Sequence, residues 1–360
     1  MKEEAPEKLP VILLTGFLGA GKTTFLNRLL ADPAFSGSGV IVNEFGDVSL
    51  DGSLVETAAG GAVLEMAGGC LCCAGGGALE QTLADLIEAA KVRGRPLTRV
   101  VVETSGMADP LPILGEIGLS SLGRLEAVLT VVDLAHGERT LAEFEEARRQ
   151  VAVADCLLLS KSELAGGMIG NDLEAVLKHL APQAARQSAD ADVLSSVMAV
   201  AHHSEHLRLD VVASVSGEAG HDHHHHVNCH SLHRHRDTYA TTVLQTERPL
   251  APMALQGFLE VLVGTLGDRL LRVKGLAHLT NEDRPLIVQA VQGMVHSGEY
   301  LAKWPAGIGP QTALVVITQG HRAGEIENLF GAFTGEIAAD RPDAAALTDN
   351  PLAVPGFSSF

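Results

Sequence analysis

Short apolar runs of strand length alternate with stretches of helical spacing along the first half of the chain. Residues 10–15 (PVILLT), 40–45 (VIVNEF), 99–103 (RVVVE), 127–132 (AVLTVV) and 156–159 (CLLL) are apolar almost throughout, the signature of strands buried on both faces. Between them, residues 22–30 predict a helix, and 78–91 set Leu79, Leu83, Leu86 and Ile87 on one helical face. A further helix is predicted over 141–154. Strands and helices in this order predict the α/β class, with a mainly parallel sheet covered on both sides. The pattern stops near residue 202, where a polar, His-dense stretch to residue 236 predicts a linker or loop that buries no core. Alternation resumes over 238–246, followed by a helix at 253–263, strands near 270–274, 286–292 and 313–318, and a helix around 324–333. This second set predicts a smaller α+β unit. The expected division is a tail (1–9), an α/β domain (10–201), the His-rich linker (202–236), the α+β domain (237–335) and a second tail (336–360).

Charge narrows the function classes. The 360 residues include 26 Lys and Arg against 44 Asp and Glu, a formal net charge of −18. An acidic surface repels phosphate backbones and anionic lipid, so neither nucleic acid nor membrane is the expected partner. No apolar run approaches the ~20 residues that span a bilayer, and the start MKEEAPEKLP lacks the apolar centre of a secretory leader. Three of the five Cys fall within residues 70–73; that clustering suits a reducing cytoplasm and a metal or redox site rather than a disulfide framework.

Gly16-Phe17-Leu18-Gly19-Ala20-Gly21-Lys22-Thr23 has the spacing G-x-x-x-x-G-K-[ST] and lies between a predicted strand and a predicted helix, the context that gives the motif its meaning. Its glycines let backbone N–H groups turn inward around a β-phosphate at a helix N-terminus. Lys22 would reach the β- and γ-phosphates and Thr23 would ligate Mg²⁺. Glu103, ending a neighbouring strand, is the candidate for holding the Mg²⁺ shell, and Gly106 for sensing the γ-phosphate by its N–H. Ser160-Lys161-Ser162-Glu163 follows the strand CLLL, where guanine-specific proteins place [NT]-K-x-D. A Lys161 stem on the purine and a Glu163 carboxylate accepting from guanine N1 and N2 favour GTP over ATP, because adenine would leave that acid unpaired. Glu adds one methylene of reach to Asp and allows looser discrimination.

Gly69-Cys70-Leu71-Cys72-Cys73 offers three thiols within four residues, set among glycines. They can converge on one soft or borderline ion, with Glu44 or Asp47 as the fourth ligand. The competing reading is redox chemistry between Cys70 and Cys73, which have the C-x-x-C spacing. Cys156, inside a predicted strand, reads as core. The loop histidines, among them His223, His224, His225 and His226, could hold Zn²⁺, Co²⁺ or Ni²⁺ with modest affinity, or form a solvated tract without a ligand.

Together these residues resemble the CobW-type metal-handling P-loop GTPases. The resemblance rests on TGFLGAGKTT, NEFG, GGCLCC, ETSGMADP, the Lys-bearing base motif and the His-rich linker, and continues through LLRVKG, VQGMVHSGEYLAKWP and LVVIT. It spans roughly residues 10–335. It implies a GTP-dependent metallochaperone or insertase that binds phosphates and Mg²⁺ from Gly16 to Thr24, Ala20 and Thr24 included, and its transferred metal at Cys70, Cys72 and Cys73. Zinc is the first candidate, and cobalt or iron for cobalamin synthesis or nitrile-hydratase activation the second. The implied partners are GTP and a client metalloenzyme, with a homo-oligomer compatible. This chain departs from the family in SKSE for [NT]KxD, and in Asp47 where the family often has Glu. With no arginine finger or base assigned, slow intrinsic turnover is expected, on the order of 10⁻³ s⁻¹ or below. A His/Cys metal buffer without nucleotide gating, and a small-molecule kinase, are the readings of other classes.

Overall fold

The computed structural model describes residues 8–42, 54–56, 62–65, 78–166, 168–182, 184–189, 239–291, 294–295, 298, 300–305, 309–320 and 324–335. Sheet A has eight strands: β1 (Leu9–Gly16), β2 (Ser38–Val42), β3 (Leu54–Glu56), β4 (Ala62–Glu65), β5 (Arg99–Glu103), β6 (Gly123–Asp133), β7 (Cys156–Ser160) and β8 (Ala185–Ser188). Their order is β3-β4-β2-β5-β1-β6-β7-β8, parallel except for the β3–β4 pair. Among the described residues, six helices accompany this sheet: α1 (Lys22–Ala31), α2 (Ala78–Val92), α3 (Leu111–Leu119), α4 (Gly137–Glu143), α5 (Glu145–Ala152) and α6 (Asn171–Leu180). Parallel strands with helices on both faces leave no wet side, which is why Val100, Val101 and Val102 of β5 are all fully buried. Val100 and Val102 join one core cluster and Val101 the other, on opposite faces of the sheet.

Sheet B is antiparallel, in the order β12-β11-β10-β13-β9, from β9 (Tyr239–Thr246), β10 (Leu270–Ala277), β11 (Leu286–Val291), β12 (Met294–Val295) and β13 (Thr312–Gln319). Two helices, α7 (Pro252–Leu266) and α8 (Glu325–Thr334), accompany it. Period-two alternation sends Leu314 and Val316 into the core formed with Phe258 of α7 and Phe330 of α8. Ala313, Val315 and Ile317 face the other way and join the core built by α2, α3, α5 and α6 against sheet A. The hydrophobic interior is therefore continuous from one sheet to the other.

A buried charge cluster fastens that junction. Asp155, just before β7, accepts from Arg272 Nη2 at 2.7 Å and from Val128 N at 2.9 Å, and also pairs with Lys274 of β10. Arg272 further donates to the Val153 carbonyl. Burial disfavours the Asp155 charge, but Arg272 and Lys274 outweigh it and hold the carboxyl well below the usual carboxylate range.

The helix predicted over 141–154 is two helices. Phe144 leaves helical geometry (φ −115°, ψ 124°) and ends α4. The break turns its ring onto Phe17 of the glycine-rich loop, with centroids 4.5 Å apart. Arg148 makes the break tolerable, since its Nη1 donates to the Leu141 and Ala142 carbonyls that α4 leaves without helical partners. Hydrophobic spacing runs through Phe144 unchanged, so periodicity alone cannot mark this site. Among the described residues no helix is long and apolar enough to cross a membrane.

Candidate functional site

Because β1 lies between β5 and β6 while α1 leads away to β2, a crevice forms at the carboxyl ends of the central strands. Gly16 to Lys22 fill it. Gly16 has φ 143°, and a Cβ there would lie 2.4 Å from the Val131 carbonyl of β6, so only glycine allows the loop to leave β1 at this angle. Gly21, at φ 101°, starts α1 without a side-chain cap, and the first turn carries no acid. The orphan N–H groups and the positive end of the helix dipole are thus left to the loop. Lys22 is buried and its Nζ reaches back to the Gly16 carbonyl (3.0 Å) and the Phe17 carbonyl (3.4 Å).

The β1–β5 register sets Leu14 opposite Glu103, and Thr104 N donates to the Leu14 carbonyl at 3.0 Å. That places Glu103, only 2% exposed, beside the start of α1, where Thr23 Oγ1 donates to its Oε1 at 2.8 Å. A hydroxyl and a carboxylate meeting at the mouth of the loop are hard oxygen donors of the kind Mg²⁺ takes. Three residues past Glu103, Gly106 packs on the loop itself. A Cβ at Gly106 would stand 2.6 Å from Leu18 Cα and 2.7 Å from Leu18 N. Gly106→Ala is therefore expected to push the loop aside and lower GTP hydrolysis by about a hundredfold, since sub-ångström placement governs such reactions. Phosphate release at saturating GTP measures it; a rate within about threefold of wild type would mean the loop yields without cost.

The base motif is tied to the same loop. Ser160 Oγ donates to the Ala20 carbonyl at 2.7 Å. Lys161 adopts φ 57°, rare for a residue with a side chain, and its Nζ is 2.8 Å from Asp133 Oδ2 at the end of β6. Asp133 also accepts from the Ala135 N–H, so one carboxylate orients the lysine and caps the start of the following turn. Its charge is opposed by burial and favoured by Lys161 and His136, and its pKa is lowered on balance. Glu163 is exposed on the turn that follows. A cavity of about 250 Å³ opens on the α4–α5 side of the loop, walled by Phe17, Leu18, Thr130, Asp133, Gln150 and Lys161.

Gly16, Gly19, Ala20, Gly21, Lys22, Thr23, Thr24, Glu103, Gly106 and Lys161 are thus gathered at one end of sheet A. Glu44, Asp47, Cys70, Cys72, Cys73 and the histidines His223, His224, His225 and His226 lie outside the described residues. Among the described residues no group of three or more His, Cys, Asp and Glu could hold a metal ion. Cys156 is fully buried in the sheet-A core, and burial, then Asp155, push its thiol up to about 12. Asp133 and Gln150 were not singled out by sequence reasoning. Asp133 had a readable signal, an acid closing an apolar strand. Gln150 had none, because a glutamine on a helix is ordinarily solvent-facing.

Comparison with known proteins gives two family-model matches. Residues 10–188 match the nucleotide-binding domain of CobW/HypB/UreG, and residues 239–334 match the cobalamin synthesis protein cobW C-terminal domain. The chain is 30% identical to the zinc chaperone YjiA of Escherichia coli over 345 residues, covering 91% of this chain and 98% of that protein. It is also 30% identical to the zinc chaperone CobW of Pseudomonas aeruginosa, over 87% of this chain and 88% of that one. The crystal structure of Zn(II)-bound YjiA GTPase from E. coli shares the fold with a TM-score of 0.61 at 24% identity, over 91% of this chain and 99% of that one.

Proposed function

The chain belongs to the CobW/YjiA-type family of P-loop GTPases, and from that membership we propose that it is a zinc chaperone whose grip on its cargo is set by GTP hydrolysis. The observation that carries the nucleotide half is the 2.8 Å contact between Thr23 and Glu103 at the mouth of the loop. Lys22 and the N-terminal N–H groups of α1 hold the β- and γ-phosphates, and Thr23 with Glu103 would hold Mg²⁺. When bound, that ion neutralises charge between the phosphates. Gly106 presents its N–H to the γ-phosphate, and the Lys161 stem packs on the base while Glu163 accepts from guanine. The enzyme hydrolyses GTP to GDP and phosphate.

Cys70, Cys72 and Cys73 take the cargo as thiolates, with Glu44 or Asp47 completing the shell. Zinc is favoured over cobalt by the zinc chaperones among the relatives and by thiolate chemistry. The His223–His226 run serves as a weak loading site. A domain division at 10–201, 202–236 and 237–335 is supported by the limits of the two family-model matches. Release to a client metalloenzyme is the purpose of the switch. Moving the loaded fraction from 99:1 to 1:99 takes about 5.5 kcal/mol, within the roughly 10–16 kcal/mol that a thiolate–zinc site holds in peptides. By linkage, bound zinc tightens GTP by the same factor.

Competitive zinc titration tests this, run with Mg²⁺ plus a non-hydrolysable GTP analogue and again with Mg²⁺ plus GDP. A gap of about ten-thousandfold between the two, the equivalent of that 5.5 kcal/mol, is expected, vanishing in Cys72→Ser. Equal zinc affinity in both states would leave a metal buffer that shares a chain with a GTPase.

A further inference from the structure

The segment between β5 and α3 touches the glycine-rich loop at one end and α5 at the other. Gln150 of α5, 1% exposed, donates its Nε2 to the carbonyls of Ala108 (2.9 Å) and Gly106 (3.3 Å). The neighbouring Arg149 pairs through Nη1 with Asp109 Oδ2, while Asp109 Oδ1 accepts from Leu111 N and caps α3. Arg149 also faces sheet B. Its Nη2 donates to Gln319 Oε1 of β13 at 3.3 Å, and Gln319 Nε2 donates to Glu145 Oε1 at 2.7 Å. Tyr239 of β9 donates its hydroxyl to that same Glu145 oxygen. Gln319 and Tyr239 are partners in the β13–β9 register, so two adjoining strands grip one turn of α5.

Two polar contacts between sheet B and the rest of the chain, both among the described residues, differ in kind. At Asp155 the side chains are 5% exposed for the acid and 3% for Arg272, a dry anchor. At α5 they are 26% for Asp109, 30% for Arg149 and 34% for Glu145, accessible enough for water to replace a lost partner. One contact has the character of a pivot and the other of a latch.

We propose that Arg149 is a positioning residue that transmits the nucleotide state of the 104–110 segment to sheet B, by holding Asp109 with one arm of its guanidinium and Gln319 with the other. The inference rests on the GTPase reading. When the segment follows the γ-phosphate, Gly106 and Asp109 move together, because they lie three positions apart on one backbone whose Gly106 and Ala108 carbonyls share one donor, Gln150. A rigid fork cannot follow an ångström-scale shift of Asp109 and keep a 3.3 Å contact to Gln319, since hydrogen bonds fail steeply beyond about 3.5 Å. The outcome is felt at β9, which among the described residues pairs with β13 alone and lies at the sheet edge, and into which the His-rich sequence leads.

Hydrogen exchange of the full chain tests the relay, in Mg²⁺ plus non-hydrolysable GTP analogue and in Mg²⁺ plus GDP, read on peptides covering 239–246 and 312–319. Exchange in these strands is expected to differ about tenfold between the two states in the wild type. Gln319→Leu, which cuts the Arg149–Gln319 and Gln319–Glu145 contacts but leaves Arg149 on Asp109, is expected to shrink the difference to within about twofold while leaving GTP hydrolysis unchanged. Tyr239→Phe serves as a second, fold-preserving variant that weakens the same latch and should narrow the difference. Nucleotide bound in the wild type with equal exchange in both states would overturn the relay alone, as would a full difference surviving in Gln319→Leu. Failure of the wild type to bind GTP would overturn the GTPase reading and the relay together.

Discussion

Glu103→Gln is expected to slow GTP hydrolysis by two to three orders of magnitude, about the loss seen when one preorganised charge-stabilising group is removed from a catalytic site. The substitution is nearly isosteric. Its oxygen can still accept from Thr23, now held at 2.8 Å, so the packing around a residue only 2% exposed should survive. What disappears is the negative charge that would hold Mg²⁺ against the phosphates. The defect should therefore appear in kcat and in a raised Mg²⁺ requirement, more than in thermal stability. Single-turnover phosphate release across a magnesium titration measures both. A variant with wild-type rate and wild-type magnesium dependence would remove Glu103 from the site.

Asp155→Asn is expected to have the largest effect on stability, about 3–5 kcal/mol, the usual cost of deleting one member of a buried ion pair. The magnitude follows from what is left behind. Arg272, still donating to the Val153 carbonyl, and Lys274 would remain with their charges largely taken out of water and no carboxylate to answer them. Burial already lowers the Lys274 pKa against the attraction of Asp155, and without that attraction the depression should deepen. The pH dependence has a definite sign. A carboxyl held below its ordinary value contributes its full stability above the unfolded pKa, about 3.9, and loses it as the pH falls toward the folded value. Wild-type denaturant midpoints should therefore stay level in this respect from neutral pH to about pH 4 and fall below it, and Asp155→Asn should be less stable yet flatter in that acid range. Equal acid sensitivity in the two proteins would count against the assignment. So would full stability of Asp155→Asn at neutral pH.

Both expectations depend on contacts of very different legibility. The glycine-rich loop is readable because its chemistry is local: glycine spacing, an apolar strand before it and a lysine at the helix start all fall within β1 and α1. Glu103 could be nominated from its place at a strand end, although its 2.8 Å approach to Thr23 required β5 to lie directly beside β1. Sheet B was legible as alternating strands, whereas the sharing of its second face with α2, α3, α5 and α6 was not. Leu276, Ile287 and Val315 would look the same in the sequence had they been buried against helices of their own unit.

The sequence by itself determined the alternation of strands and helices, the phosphate loop and the thiol cluster. Each is a matter of residues a few positions apart, where periodicity, glycine freedom and side-chain chemistry act directly. Only the tertiary structure decided that Phe144 breaks a continuous helical pattern to stack on Phe17, because ring packing across 127 positions of chain outweighed local propensity. It alone decided that Asp155 meets Arg272, 117 residues away, and that Arg149 stands between Asp109 and Gln319. Charges so far apart carry no positional signal, since strand order rather than spacing brings them together, and strand order is fixed by how whole faces are buried.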